Sequence, residues 1–161
     1  MRVLSILFAL ILLSGGGGAP QPLAAQTPSV QTLPPQAVGI LKQVMKGILL
    51  PTSDAIFAVQ NEAPKTANGW EAIENDAIAL AEAANLVTIR GRMCSSGLPV
   101  PVDRPDFIKF AQGLRDAAQV TLKAAQTKNQ DKVSEATDVL TEACDNCHQV
   151  YREKPVRCQV Q

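Results

Sequence analysis

Residues 142–155, EACDNCHQVYREKP, bring two thiols and the only histidine of the chain into five consecutive positions, as Cys144, Cys147 and His148. Spacings of three and four residues put side chains on one face of an α-helix. An apolar stripe that begins upstream continues through both cysteines, so this face is expected to point toward a core. The stretch therefore predicts a last helix over about residues 129–155.

Three segments upstream show the same helical periodicity, over about residues 36–60, 68–90 and 104–128. Their apolar stripes are Val38, Leu41, Met45 and Ile48; Trp70, Ile73, Ala77, Leu80, Ala84 and Val87; and Phe107, Phe110, Leu114, Ala118, Thr121 and Ala125. Pro51 interrupts the first segment and is expected to kink it, because proline lacks a backbone donor. No segment shows sustained strand-like alternation. The pattern predicts an all-α fold, an antiparallel up-down-up-down four-helix bundle.

The beginning of the chain is typical of an export signal. Arg2 precedes an unbroken apolar run over residues 3–13, which is too short to cross a bilayer and resembles a signal-peptide core. We expect a signal peptide over 1–25, a linker rich in proline, glutamine and threonine over 26–35, the bundle over 36–154 and a tail over 155–161. These assignments predict a periplasmic protein with no membrane span after cleavage.

The charge balance and the residue composition argue against two classes of function, nucleic-acid binding and catalysis. Without Arg2, the mature chain keeps 14 basic residues against 15 acidic ones, and this balance provides no field that would attract a polyanion. We therefore expect no nucleic-acid partner. The single histidine already belongs to the cysteine motif, and no glycine-rich phosphate loop follows a strand. The sequence predicts a protein that is not an enzyme.

The pattern C-x-x-C-H, formed by Cys144, Cys147 and His148, is the attachment signature of c-type haem. Two thiols add to the two vinyl groups of one porphyrin edge, and the imidazole binds the iron. One helical turn between the thiols matches the separation of the vinyl groups. The motif predicts one covalently attached haem c.

The chain resembles the class II cytochromes c, the cytochrome c′ family. The family pattern C-x-x-C-H-x-x-aromatic-Arg is matched by Cys144, Cys147, His148, Tyr151 and Arg152. The resemblance covers about residues 36–154, weakly in the first three helices and strongly in the fourth. It implies a four-helix bundle with haem near its C-terminus, redox partner proteins, and possible pairing of two chains into a homodimer through the first two helices.

The resemblance also implies where the second axial ligand of the iron would lie. Low-spin relatives supply a methionine from the first helix, and Met45 occupies the corresponding place. Met93 is the alternative ligand, and an open five-coordinate iron is the third possibility. His/Met ligation suits single-electron transfer, whereas an open iron would favour binding of a small gas such as nitric oxide. A methionine at this spacing also fits a simple core position.

Two readings of the motif do not involve haem. A thiol-disulfide redox pair needs a depressed thiol pKa, usually supplied by a helix N-terminus, whereas Cys144 lies about fifteen residues into its helix. A structural zinc site needs four ligands, and Cys94 and Cys158 would have to join Cys147 and His148.

Further residues are expected at the haem end of the bundle. Cys94 follows the second helix and Cys158 follows the fourth, and we predict a disulfide between them that holds the tail over the loop between helices two and three. Arginines that could pair with the haem propionates are Arg90, Arg92, Arg152 and Arg157. The family pattern includes Arg152, which is therefore the favoured partner.

Overall fold

The computed structural model describes residues 33–152, and within them every regular element is helical. The elements are α1 (Leu41–Val44), a π-helical turn (Met45–Leu49), α2 (Leu50–Ala58), α3 (Ala67–Val87), α4 (Pro105–Gln126) and α5 (Gln130–Tyr151). The predicted all-α class is confirmed for this part of the chain. The predicted signal peptide (1–25) and tail (155–161), and residues 26–32 of the predicted linker, lie outside the described residues.

Local signals explain where the long helices begin. The Thr66 hydroxyl accepts a hydrogen bond from the backbone N–H of Gly69 at 3.1 Å, and the Asn129 side chain accepts one from Lys132 at 3.0 Å. Each bond satisfies a backbone donor that the first helical turn leaves unpaired. Pro105 opens α4, where its missing N–H costs nothing. The three long helices therefore begin close to the predicted positions.

The first helical segment differs from its prediction. Helix begins at Leu41 rather than near residue 36, and Val38 is 99% exposed, so its assignment to the buried stripe was wrong. Pro51 lies in the first turn of α2, directly after the π-helical turn. A π-helical turn that the sequence did not predict therefore directly precedes the proline, and the kink itself stays a prediction.

The core is formed by the stripes that the periodicity predicted. In α3, all six predicted positions are buried, and in α4 only Phe110 among the six is half-buried rather than buried. α3 packs against α4, α4 packs against α5, and α2 packs against both α3 and α5. This arrangement is compatible with a helical bundle.

Contacts between distant residues define which helix ends meet. The N–H of Leu41 donates to the carbonyl of Met93 at 2.8 Å, and Arg104, just before α4, donates to the Tyr151 hydroxyl at 3.0 Å. At the start of α5, the Gln130 side chain donates to the carbonyl of Val59, the residue directly after α2, at 2.8 Å. The start of α1 therefore lies beside the α3–α4 connection, and the end of α5 lies beside the start of α4.

Candidate functional site

The C-x-x-C-H motif lies on the last two turns of α5. Cys144, Cys147 and His148 are each half-buried, and both cysteines pack against the hydrophobic core. Both thiols are free. The helix therefore gathers the three side chains on one partly covered face, as their spacing predicted.

The surroundings of the two thiols keep them protonated. Burial, followed by the negative charge of Asp145, raises the pKa of Cys144. Burial also raises the pKa of Cys147 to about 11, with smaller effects from Cys144 and Asp106. A redox-active thiol pair needs the opposite shift. These thiols are therefore poor nucleophiles as the chain stands.

His148 is held in a state suited to binding a metal. Burial lowers its pKa, and the positive charge of Arg152 lowers it further, while Asp145 opposes both effects. The imidazole is therefore neutral at pH 7 and has a lone pair free for a metal ion. The carbonyl of His148 accepts the Arg152 N–H at 3.0 Å, and this bond closes the last turn of α5.

A polar cluster that the sequence did not predict joins this last turn to α4. The Tyr151 hydroxyl donates to Asp106 Oδ2 at 2.7 Å and accepts from Arg104 Nε at 3.0 Å. Arg104 Nε also lies 3.1 Å from Asp106 Oδ1. The Tyr151 ring packs edge-on against Phe107 and Phe110, with centroid distances of 5.1 and 6.0 Å. The cluster fixes the end of α5 one turn beyond His148.

Replacing Tyr151 with phenylalanine tests this cluster. Hydrogen bonds from Arg104 and then Tyr151 lower the pKa of Asp106, so its ionised form stabilises the fold at neutral pH. That contribution is present above the unfolded pKa of about 3.9 and is lost as pH falls through the lower folded pKa. We expect Tyr151→Phe to lower the free energy of unfolding by about 0.5–1.5 kcal/mol at pH 7, and by less at pH 3, in urea titrations.

Thr121→Val is the matched control for this prediction. The Thr121 hydroxyl is fully buried and donates to the Ala117 carbonyl at 3.0 Å within α4. Since that bond involves no carboxylate, its loss should cost the same at both pH values. A penalty for Tyr151→Phe that does not change between pH 7 and pH 3 would contradict the role given to Asp106.

Met45 is the first residue of the π-helical turn. Its side chain is half-buried and packs against the core. Neither α1 nor this turn has a Cα atom within 8 Å of α5, although α2 does. Met93, the alternative ligand, is 37% exposed and pairs with Pro99 in an isolated β-bridge.

These residues fit the predicted haem by the chemistry of their donor groups. Two thiols one helical turn apart match the two vinyl groups of one porphyrin edge, and the neutral His148 imidazole suits iron. On these observations, the two cysteines and His148 would hold the group, and Met45 as the second ligand stays a prediction.

The predicted arginines have different surroundings. Arg92 is 4% exposed and donates to the carbonyls of Leu86, at 3.0 Å, and Gly39. It thus ties the chain before α1 to the end of α3, a role that sequence reasoning missed. Arg90 pairs with Asp103 on the surface. Arg152 is exposed next to the motif, and its pairing with a propionate stays a prediction.

Of the second pair of cysteines, only Cys94 lies within the described residues. Cys94 is 2% exposed, and its N–H donates to the Leu98 carbonyl at 2.8 Å. Arg157 and Cys158 lie outside the described residues. The disulfide between Cys94 and Cys158 therefore stays a prediction.

The described residues were compared with what a metal site or a membrane span would require. Within residues 33–152, no group of three or more His, Cys, Asp or Glu side chains is arranged to hold a metal ion. The same residues contain no helix that is long and apolar enough to cross a membrane.

A cleft of about 560 Å³ lies between the end of α2 and the start of α3, and its lining includes none of the predicted site residues.

Comparisons with known proteins found no relative of this chain. The chain matches no protein-family model, and neither the curated proteins nor the solved structures yield a significant match.

Proposed function

We propose that this chain is a periplasmic class II c-type cytochrome that carries single electrons between redox partner proteins. Cys144 and Cys147 hold one haem through thioether bonds, and His148 binds its iron. When bound, the haem supplies a one-electron iron couple. The chain contributes attachment, axial ligands and a partly apolar surrounding, and turns over no substrate.

One observation carries the proposal: α5 presents Cys144, Cys147 and His148 together on a half-buried face. The lowered pKa of His148 leaves its imidazole neutral, which is the form that binds a metal. Addition of a thiol across a vinyl group forms a C–S bond and moves the thiol proton to carbon. The step needs no external oxidant.

Met45 is the proposed sixth ligand. Its thioether lies on the first segment, which the Leu41–Met93 hydrogen bond and the Arg92 side chain attach to the α3–α4 connection. A methionine opposite histidine raises the reduction potential and holds the iron in one coordination state when the electron moves. These properties suit electron transfer. An iron without Met45 would instead bind small gases.

The proposed topology is an antiparallel up-down-up-down bundle. Three residues connect α4 to α5, and a short connection between two packed helices favours an antiparallel pair. The contacts of Arg104 with Tyr151 and of Gln130 with Val59 support the same arrangement. In this topology, the start of α1 and the end of α5 share one end of the molecule, where the haem would lie.

Thiol reactivity separates this function from a thiol-redox role. In protein produced without haem, we expect Cys147 to react with iodoacetamide at pH 8 roughly a hundredfold more slowly than a model thiol of pKa about 8.5. The cause is burial, which raises its pKa to about 11. Peptide mass spectrometry over a time course measures the rate. A rate above that of the model thiol would favour the redox role.

The test of the function is to produce the full chain in a host that attaches haem. A red protein with a Soret band, whose haem stays with the polypeptide in acid-acetone, is the expected result. A colourless protein that contains zinc, or colour that acid-acetone extracts, would contradict the proposal. Reversible one-electron reduction without catalytic turnover would then support the carrier role.

A further inference from the structure

The two thiols of the C-x-x-C-H motif lie inside a continuous helix. α5 runs from Gln130 to Tyr151, and Cys144 and Cys147 both lie in its C-terminal half. Side chains three residues apart on an α-helix have Cβ atoms about 5–6 Å apart. A disulfide needs Cβ atoms about 3.5–4.5 Å apart. The helix therefore holds these two thiols too far apart to pair without a change in the backbone, and both are free.

Contacts at the end of α5 oppose the backbone change that pairing would need. The Arg152 N–H donates to the His148 carbonyl at 3.0 Å and so closes the last turn. The Tyr151 hydroxyl donates to Asp106 at 2.7 Å, and the buried Tyr151 ring packs edge-on against Phe107. Unwinding the turn between the two cysteines would shift Tyr151 out of these contacts. The contacts of Tyr151 with α4 therefore help to keep the thiols at their helical separation.

A disulfide between these thiols would work against the proposed function. Its formation removes two electrons and two protons, which pass to an oxidant such as another disulfide. The paired sulfurs would then lack the hydrogens that thioether formation transfers to the vinyl carbons, and a dithiol reductant would have to restore them. The proposed periplasmic location is an oxidising compartment. A geometry that disfavours this disulfide would therefore keep the chain ready for haem.

We propose that α5, held closed by the contacts of Tyr151, prevents Cys144 and Cys147 from pairing with each other under oxidising conditions. In the unfolded chain the same two residues are free to approach each other and to pair. The folded helix thus protects the thiols. The inference rests on the proposed function for the purpose of this protection, whereas the separation of the thiols depends only on the helix.

The experiment uses the full chain produced without haem, equilibrated with reduced and oxidised glutathione in native buffer and in concentrated urea. After acid quenching and alkylation, the tryptic peptide 133–152 reports on Cys144 and Cys147, because it contains no other cysteine. We expect an internal disulfide in this peptide in urea. In native buffer the equilibrium constant for that disulfide should be roughly a hundredfold lower or more, because the helical geometry would strain the bond.

Two variants test the contribution of the end of α5. Tyr151→Phe removes the hydrogen bond to Asp106 and should raise the equilibrium constant for the disulfide in native buffer about two- to tenfold, the effect of one hydrogen bond. Thr121→Val removes a buried hydroxyl bond within α4 and should leave the constant unchanged. An equal rise in both variants would contradict the role given to Tyr151.

Circular dichroism of the haem-free chain should show a helical protein in native buffer. A haem-free chain without helix would overturn the inference, and so would a disulfide that forms as readily in native buffer as in urea. Either result would leave the proposed function standing if protein matured with haem carries thioether bonds. Thiols that stay reduced in a chain that never acquires haem would instead defeat the proposed function, although the protection of the thiols would hold.

Discussion

Replacing both Cys144 and Cys147 with serine is expected to abolish covalent haem attachment completely. Serine keeps the size and helical position of each side chain but lacks the sulfur that forms the thioether. Both cysteines are half-buried at the edge of the core, so the fold should tolerate the exchange. Haem in the purified protein is measured by intact mass and by acid-acetone extraction. No haem should remain with the polypeptide.

Ala143→Ser is the matched control, because Ala143 is half-buried on the same helical turn and also packs against the core. It introduces the same hydroxyl but removes no thiol, so haem attachment should be unchanged. Helix content by circular dichroism should be similar in both variants. Covalent haem in the doubly substituted protein would place the attachment elsewhere and remove the basis of the account.

Replacing Met45 with leucine should produce the second large effect. Leucine nearly conserves the side-chain volume, so stability should change by less than about 1.5 kcal/mol. The thioether sulfur, however, is lost. We expect the ferric haem to change from almost entirely low-spin to almost entirely high-spin, and the reduced protein to bind carbon monoxide rapidly. Because methionine ligation raises the reduction potential, the potential should fall.

Ile48→Leu is the control for this experiment. Ile48 is half-buried in the same π-helical turn and packs against the core, but it has no atom that binds iron. Its replacement should leave the visible spectrum unchanged. If Met45→Leu retained a low-spin spectrum, Met45 would not be the ligand, and the same exchange at Met93 would become the next experiment.

The helices could be predicted because each buries a continuous stripe. In α3, Trp70, Ile73 and Leu80 recur at helical spacing and are all buried. The last helix carries its motif on the expected face for the same reason. Such periodicity depends only on local geometry. It says less about helix ends, which is why Val38 was wrongly placed in a buried stripe although it precedes the helix and is exposed.

Features that depend on distant contacts were missed. The hydrogen bond between Tyr151 and Asp106 joins residues 45 positions apart, so no local sequence pattern predicts it. A partial signal existed, since Tyr151 follows His148 by one turn and Asp106 opens α4. Pro51 predicted a disturbance of the first helix but did not predict the π-helical turn over Met45–Leu49.

The most direct measurement is the mass of the tryptic peptide that spans residues 133–152 in protein matured with haem. This peptide ends at Arg152 and contains Cys144 and Cys147 but neither of the other two cysteines. We expect this peptide to carry the added mass of one haem, and neither of its thiols to be alkylated. A peptide of unmodified mass with two free thiols would contradict the account.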